Sequence, residues 1–298
     1  MKNCFFAVLT FALLAGCASA HGTKDTSAQH AGQGDTMKSR TFTTREVEIP
    51  NAKSGNTLRG TLYLPDGAGK KPLVITSHEL GGNAAMPWWK NYASHWAGEG
   101  LLVLAFDFAG GGEKSRSDGK TTDMSVLTEA DDLEAVLDHA KNWDFVDTSK
   151  IIIAGGSQGG GVASVVASRR ADDIASLILL YPAFYLPDNL RELFPDRSAI
   201  PEVHRRNGLI DVGKRYVTDM YDYDYFAKMG GFKKPVLIVH GDADKTAPHS
   251  YSERAIPVYP NATLHTIKGA GHIFLTAEYQ SEFLQTADEF LRKCGILK

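Results

Sequence analysis

Ile151-Ile152-Ile153-Ala154-Gly155-Gly156-Ser157-Gln158-Gly159-Gly160-Gly161 is the stretch on which the reading of this chain turns. Three consecutive β-branched residues form the short apolar run of a strand buried on both faces. Val162 to Ser168 then reads as a helix. Between the two, Gly155-x-Ser157-x-Gly159 supplies small residues where a sharp strand-to-helix turn crowds its neighbours. Such a turn lifts a hydroxyl above the sheet and sets it at a helix N-terminus, where developing negative charge is stabilised. Without the flanking strand and helix, the same letters would be a glycine-rich turn with an incidental serine. A phosphate loop would need Gly-Lys-Ser/Thr, which does not follow. Ser157 is the candidate nucleophile.

A serine hydroxyl needs a base within hydrogen-bond reach, and the chain has ten histidines. His272 lies in Lys268-Gly269-Ala270-Gly271-His272, just after the apolar run Leu264 to Ile267, at the same sheet edge as Ser157. His265 falls inside that run and reads as structural. His240 ends a strand before Gly241 and reads as a loop tie, while His95 and His139 fall on helical stretches. The acid that orients the base is expected in His240-Gly241-Asp242-Ala243-Asp244-Lys245. Asp242 suits a turn cap; Asp244 stands further out, where it can reach His272. The residues alone leave this choice open. Backbone amides are the expected oxyanion donors, because fixed dipoles need no reorganisation. The candidates are Gln158, next to the serine, and Leu80, in Ser77-His78-Glu79-Leu80-Gly81-Gly82-Asn83.

Strand and helix signals alternate around these pieces. Arg45 to Ile49 and Leu58 to Leu64 flank a turn and predict an antiparallel hairpin. Apolar runs follow at Leu73 to Thr76, Leu101 to Phe106, Ile151 to Ile153, Ile174 to Leu180, Val236 to Val239 and Leu264 to Ile267. Leu133, Val136, Leu137 and Ala140 form one helical stripe. The pattern predicts an α/β protein: a mainly parallel central sheet with helices on both faces. After the sixth strand, an aromatic-rich insertion at about residues 183–231 is too long for an ordinary connection and is placed to cover a site. Its aromatics, and Trp88 and Trp89, either line that site or pack a small core; packing is the commoner fate.

The 298 residues are 43% hydrophobic and 22% charged, with a net charge of −3, which is globular composition without the basic surface that nucleic acid requires. No Cys/His cluster has metal-ligand spacing. The N-terminus is of another kind. Lys2 precedes the apolar run Phe5 to Leu14, too short to span a bilayer and matched to a signal peptide. Leu14-Ala15-Gly16-Cys17 resembles the lipobox of bacterial lipoproteins, which implies lipidation of Cys17, an exported chain and a membrane anchor at the periplasm or cell surface. A secretory signal cleaved after Ala18-Ser19-Ala20 is the alternative. Residues 18–41 are polar and read as a flexible tether, with the folded domain at 42–298. Cys4 falls in the signal, so Cys294 is left without a disulfide partner.

The order oxyanion loop, Ser, Asp, His resembles the α/β-hydrolase superfamily. It is most similar to bacterial feruloyl (cinnamoyl) esterase-like serine hydrolases. The resemblance rests on Phe106-Asp107-Phe108-Ala109-Gly110-Gly111-Gly112, Asp123-Met124-Ser125-Val126-Leu127, Gly156-Ser157-Gln158-Gly159-Gly160 and Val239-His240-Gly241-Asp242-Ala243-Asp244. It implies a small cap after the sixth strand and selects Asp244 as the acid. It also implies acyl transfer through Ser157, with Leu80 and Gln158 as oxyanion donors, a small aryl or short-chain ester as substrate, and no metal or organic cofactor. Three positions depart from the family pattern. Glu79 stands for a glycine of the oxyanion loop, Gly156 for a histidine before the nucleophile, and Gly111 for the histidine of a Gly-His-Gly. A carboxylate at position 79 is expected to disfavour anionic esters. The rival readings are a prolyl-oligopeptidase-like peptidase and a non-catalytic ligand-binding lipoprotein.

Overall fold

The computed structural model describes residues 40–298. The expected signal peptide, the expected lipidation site at Cys17 and all but the last two residues of the expected tether lie outside the described residues. Arg40 and Thr41, assigned to the tether, are already tied to the domain: the Arg40 amide donates to the Gly98 carbonyl at 2.8 Å, and the Asp66 amide to that of Thr41 at 2.9 Å. Among the described residues no helix is long and apolar enough to cross a membrane.

The chain opens with β1 (Phe42–Pro50) and β2 (Thr57–Pro65), paired antiparallel as the hairpin pattern predicts. There follow β3 (Lys71–Ser77), α1 (Pro87–Gly98), β4 (Leu102–Asp107), α2 (Val126–Lys141), β5 (Val146–Gly156), α3 (Gln158–Arg169) and β6 (Ser176–Leu180). The insertion carries α4 (Leu186–Leu193), a hairpin of β7 (Val203–Arg206) and β8 (Ile210–Gly213), α5 (Lys214–Met220) and α6 (Tyr225–Met229). The chain then returns through β9 (Val236–Gly241), α7 (His249–Ala255), β10 (Ala262–Ile267) and α8 (Ala277–Lys293). The main sheet runs β1-β2-β4-β3-β5-β6-β9-β10 and is parallel from β4 to β10.

All the apolar runs but the last are strands buried on both faces, because they feed two cores; β10, at the sheet edge, is buried only at Ile267. Ile151 and Ile153 of β5 enter one cluster with Leu73, Ile75, Leu177, Leu179 and the apolar stripe of α2. Ile152 and Ala154 enter the other with Val74, Ile178, Leu180 and the inner faces of α1 and α8. Successive side chains of a strand point to opposite faces, so a one-residue slip would exchange the two sets. Ser125 caps α2 by accepting from the Thr128 amide, and the Thr128 hydroxyl answers to the Ser125 amide. This reciprocal cap fixes where the helix starts.

The β7–β8 hairpin is a feature the sequence reading did not find. Asn207 and Gly208 both have positive φ (49° and 68°), and the Leu209 amide donates to the Arg206 carbonyl at 2.8 Å. That is the two-residue Asn-Gly turn whose twist suits paired strands. Phe184, Tyr216 and Tyr225 of the insertion are buried in the larger core, so these aromatics hold the cap to the sheet.

Candidate active site

Every element that carries a site residue delivers it to the C-terminal edge of the parallel strands, where open α/β sheets bind ligands. Ser157 sits between β5 and α3 with φ 50° and ψ −117°, a backbone region that non-glycine residues rarely occupy. Three hydrogen bonds pin it there. Its amide donates to the Leu180 carbonyl at 2.9 Å, and its carbonyl accepts from the amides of Ala183 at 2.9 Å and Gly161 at 3.1 Å. Gly159 is required by contact: a Cβ there would stand 2.1 Å from the Ser77 carbonyl oxygen.

The Ser157 hydroxyl lies 2.9 Å from His272 Nε2, and His272 Nδ1 lies 2.7 Å from Asp244 Oδ2. With Nδ1–H donating to the carboxylate, Nε2 is left to accept from the serine, the tautomer a general base needs. The structure thus joins the three residues in one line of bonds. Of the two aspartates, Asp242 accepts from the Gly269 amide at 2.6 Å, in the turn beside the site, while Asp244 reaches the imidazole. Asp244 is held from a second side as well. His240 Nε2–H donates to Asp244 Oδ2 at 3.1 Å and to the Ala247 carbonyl at 3.0 Å, and Ser252 closes the ring on His240 Nδ1 at 2.7 Å. The Thr246 and Ala247 amides donate to Asp244 Oδ1 at 2.8 and 2.9 Å. Burial alone would raise the Asp244 carboxyl; the bonds from His240 and His272 outweigh it and hold the group well below the usual carboxylate range.

Leu80 and Gln158 line the same cavity as Ser157 and His272. The Gln158 amide opens a helix and so has no acceptor within it. The Gln158 side chain is occupied elsewhere: its Nε2 donates to Glu129 at 2.8 Å, and its Oε1 accepts from the Tyr216 hydroxyl at 2.7 Å. This bridge links α2, the Ser157 turn and the cap. The loop that carries Leu80 is set by His78, whose Nδ1–H donates to the Glu79 carbonyl at 2.8 Å while its Nε2 accepts from the Phe108 amide at 3.1 Å. Desolvation lowers the His78 pKa, consistent with a neutral ring in this role.

Glu79 does not strain the loop, since it is not among the non-glycine residues with positive φ. Its carboxylate is turned onto three donors rather than left at the mouth. Oε1 accepts from Trp88 Nε1 at 3.2 Å and from the Tyr181 hydroxyl at 3.0 Å, and Oε2 from Trp89 Nε1 at 2.9 Å. The Tyr181 ring lies against His272, with centroids 5.0 Å apart. A Cβ at Gly156 would come within 2.7 Å of Glu79 Oε1. Two departures from the family pattern are therefore one feature, because the carboxylate fills the space a side chain at 156 would need. Trp88 and Trp89, read as entrance or packing residues, serve here as donors to that carboxylate.

The cavity measures about 90 Å³, and Tyr185, Leu186, Arg206, Asn207, Leu209 and Tyr216 form its cap side. Tyr185 and Tyr216 are among the insertion aromatics that the sequence offered as lining or packing residues; Leu186, Arg206, Asn207 and Leu209 were not foreseen. The Asn207-Gly208 dipeptide was the available signal, since it marks a hairpin whose ends fall beside the site.

Comparisons with known proteins agree with this architecture. The structure of Est1E from Butyrivibrio proteoclasticus with ferulic acid bound superposes with a TM-score of 0.76, at 29% identity, over 83% of this chain and 98% of that one. The α/β hydrolase GrgF from Penicillium sp. sh18 superposes with a TM-score of 0.69 at 18% identity, over 85% and 99%, a likeness of fold. The quorum-quenching protein AidA of Acinetobacter baumannii is 28% identical over 119 residues, 40% of this chain and 37% of that protein. An uncharacterized 31.7 kDa protein of the traX-finO intergenic region of Escherichia coli is 28% identical over 140 residues, 46% of each chain. The chain thus spans less than half the length of these two relatives. The profile of the prolyl oligopeptidase family matches residues 87–295. Built on the α/β-hydrolase fold, the chain belongs to the prolyl oligopeptidase family.

Proposed function

We propose that the protein is a serine carboxylic-ester hydrolase acting on esters of small acyl groups. The observation that carries this is the line Ser157–His272–Asp244, closed by hydrogen bonds of 2.9 and 2.7 Å and bordered by Leu80 and Gln158. Ser157 attacks the ester carbonyl as His272 takes its proton, and the oxyanion is met by the amides of Leu80 and Gln158. His272 then protonates the leaving alcohol, and water repeats the sequence on the acyl-enzyme to free the acid. No step in this sequence calls for a metal or organic cofactor.

The cavity volume supports a small acyl group. At about 90 Å³ it is below the roughly 150 Å³ of a cavity that takes up benzene. The ferulic acid bound by Est1E supports an aryl acyl group instead, and the family supports a peptidase. Hydrolysis of p-nitrophenyl butyrate, methyl ferulate and a prolyl p-nitroanilide, with Ser157→Ala as the blank, separates the three. Serine-dependent turnover fastest on the butyrate is expected. Faster turnover of the ferulate would replace the short acyl group by an aryl one, and cleavage of the anilide alone would sink the ester reading.

A further inference from the structure

Arg206 ends β7 at the Asn207-Gly208 turn and is only 3% exposed. One of its nitrogens, Nη2, donates to Asn189 Oδ1 at 2.7 Å, and its Nε is buried without any partner. No carboxylate lies within ion-pair distance of it among the described residues, although its cap companions Arg191, Arg197 and Arg205 meet Asp188, Asp222 and Asp211. Its guanidinium carbon stands 5.9 Å from the centre of the Tyr216 ring. The residue lines the cavity that holds Ser157 and His272.

A guanidinium cannot shed its proton to escape burial, and a buried charge without a partner is costly. Its planar fork matches a carboxylate with two parallel bonds. The one carboxylate that shares the cavity, Glu79, has both oxygens taken by Trp88, Trp89 and Tyr181. We infer that Arg206 is a specificity residue that takes an anionic end of the substrate, so that the preferred esters are half-esters of short dicarboxylic acids. This rests on the ester-hydrolase reading above and narrows it. It also reverses the expectation drawn from Glu79, because the free valence in the cavity is positive.

The test compares monoethyl fumarate with ethyl crotonate, trans four-carbon esters that differ in a carboxylate against a methyl group. The trans geometry prevents the carboxylate from attacking its own ester. Each kcat/KM is divided by the hydroxide-catalysed rate of the same ester. Wild type is expected to favour the half-ester by about tenfold or more, the scale of one desolvated charge-assisted pair. Arg206→Gln is expected to bring that ratio to about one or below. The ratio is taken within each protein, so a general loss of activity cancels. Arg206→Lys, which keeps the charge but not the fork, is expected to fall between them and serves if the glutamine variant does not fold. A wild-type ratio of one or less, or a ratio unchanged by both substitutions, would overturn the inference. Turnover of p-nitrophenyl butyrate without preference for the half-ester would sink the Arg206 inference alone. Inactivity towards every ester would sink the ester reading with it.

Discussion

The side of the cavity contributed by the sheet and the side contributed by the insertion differ in how their polar groups are matched. On the sheet side the carboxylates of Asp244 and Glu79 are answered. Asp244 accepts from His240, His272 and two backbone amides, and Glu79 accepts from two indoles and a phenol. On the cap side Arg206 bonds to Asn189, has Tyr185 and Tyr216 beside it, and leaves its Nε unmatched. A group that must be rigid before the reaction begins is saturated with partners, which is what preorganisation means in hydrogen-bond terms. A group meant to meet something from outside keeps donors free. The contrast separates side chains that would hold the geometry of the reaction from one that would choose its substrate.

The strongest way to break this contrast is to spoil the sheet side. Asp244→Asn puts an amide where two histidines donate to a carboxylate, so His272 loses the acceptor that holds its tautomer. Turnover of p-nitrophenyl butyrate is predicted to fall by about 10³- to 10⁴-fold, the scale known for such a change. Labelling of Ser157 by a fluorophosphonate should slow with it; full labelling and turnover would remove Asp244 from the mechanism. Acid should erode the stability that Asp244 contributes only late. The Asp244 carboxyl is held below its ordinary range, so the stability it contributes is fully present above about pH 3.9 and disappears only as pH falls below that.

The next prediction sharpens the comparison within the sheet side. Gly156→Ala drives a methyl group towards Glu79 Oε1, where 2.7 Å is available. Turnover is expected to fall by about 10- to 100-fold through displacement of the carboxylate and its three donors. Adding Glu79→Gly should cost less than the sum of the single changes, with a coupling of about 1–2 kcal/mol in a double-mutant cycle. Strict additivity would show that the two positions are independent.

The smallest effect is expected where the two sides meet. Tyr216→Phe removes the donor to Gln158 Oε1 and should lower stability in urea by about 1–2 kcal/mol. An unchanged midpoint would mean that the bond does not help hold the cap.

The sequence carried the sheet side well and the cap side poorly, for a physical reason. Ser157 is announced by its own neighbours, because a strand, a crowded turn and a helix follow one another without a break. His272 is announced by the apolar run before it. Asp242 and Asp244 stand two residues apart in one loop, and only the fold or a family likeness separates them, since reach is a three-dimensional property. Glu79 was visible as a departure, but its role depends on Trp88, Trp89 and Tyr181, which come from two further parts of the chain. Arg206 had no local signature at all. Its significance lies in burial and in the lack of a counterion, and neither can be read from the residues beside it.

The pairing of β6 with β9 has a consequence for how the cap is carried. Leu177 to Leu180 lie directly beside Val236 to Val239, while residues 181 to 235 leave and return between them. The entropy of closing a loop grows only with the logarithm of its length, so lengthening a connection fivefold costs about 1.4 kcal/mol. The insertion therefore taxes the equilibrium lightly. It weighs more on the rate, because two central strands must find each other across a long stretch of chain before the sheet can close. A shorter connection should let the sheet assemble faster, while giving up the apolar contacts that Phe184, Tyr216 and Tyr225 make with the core.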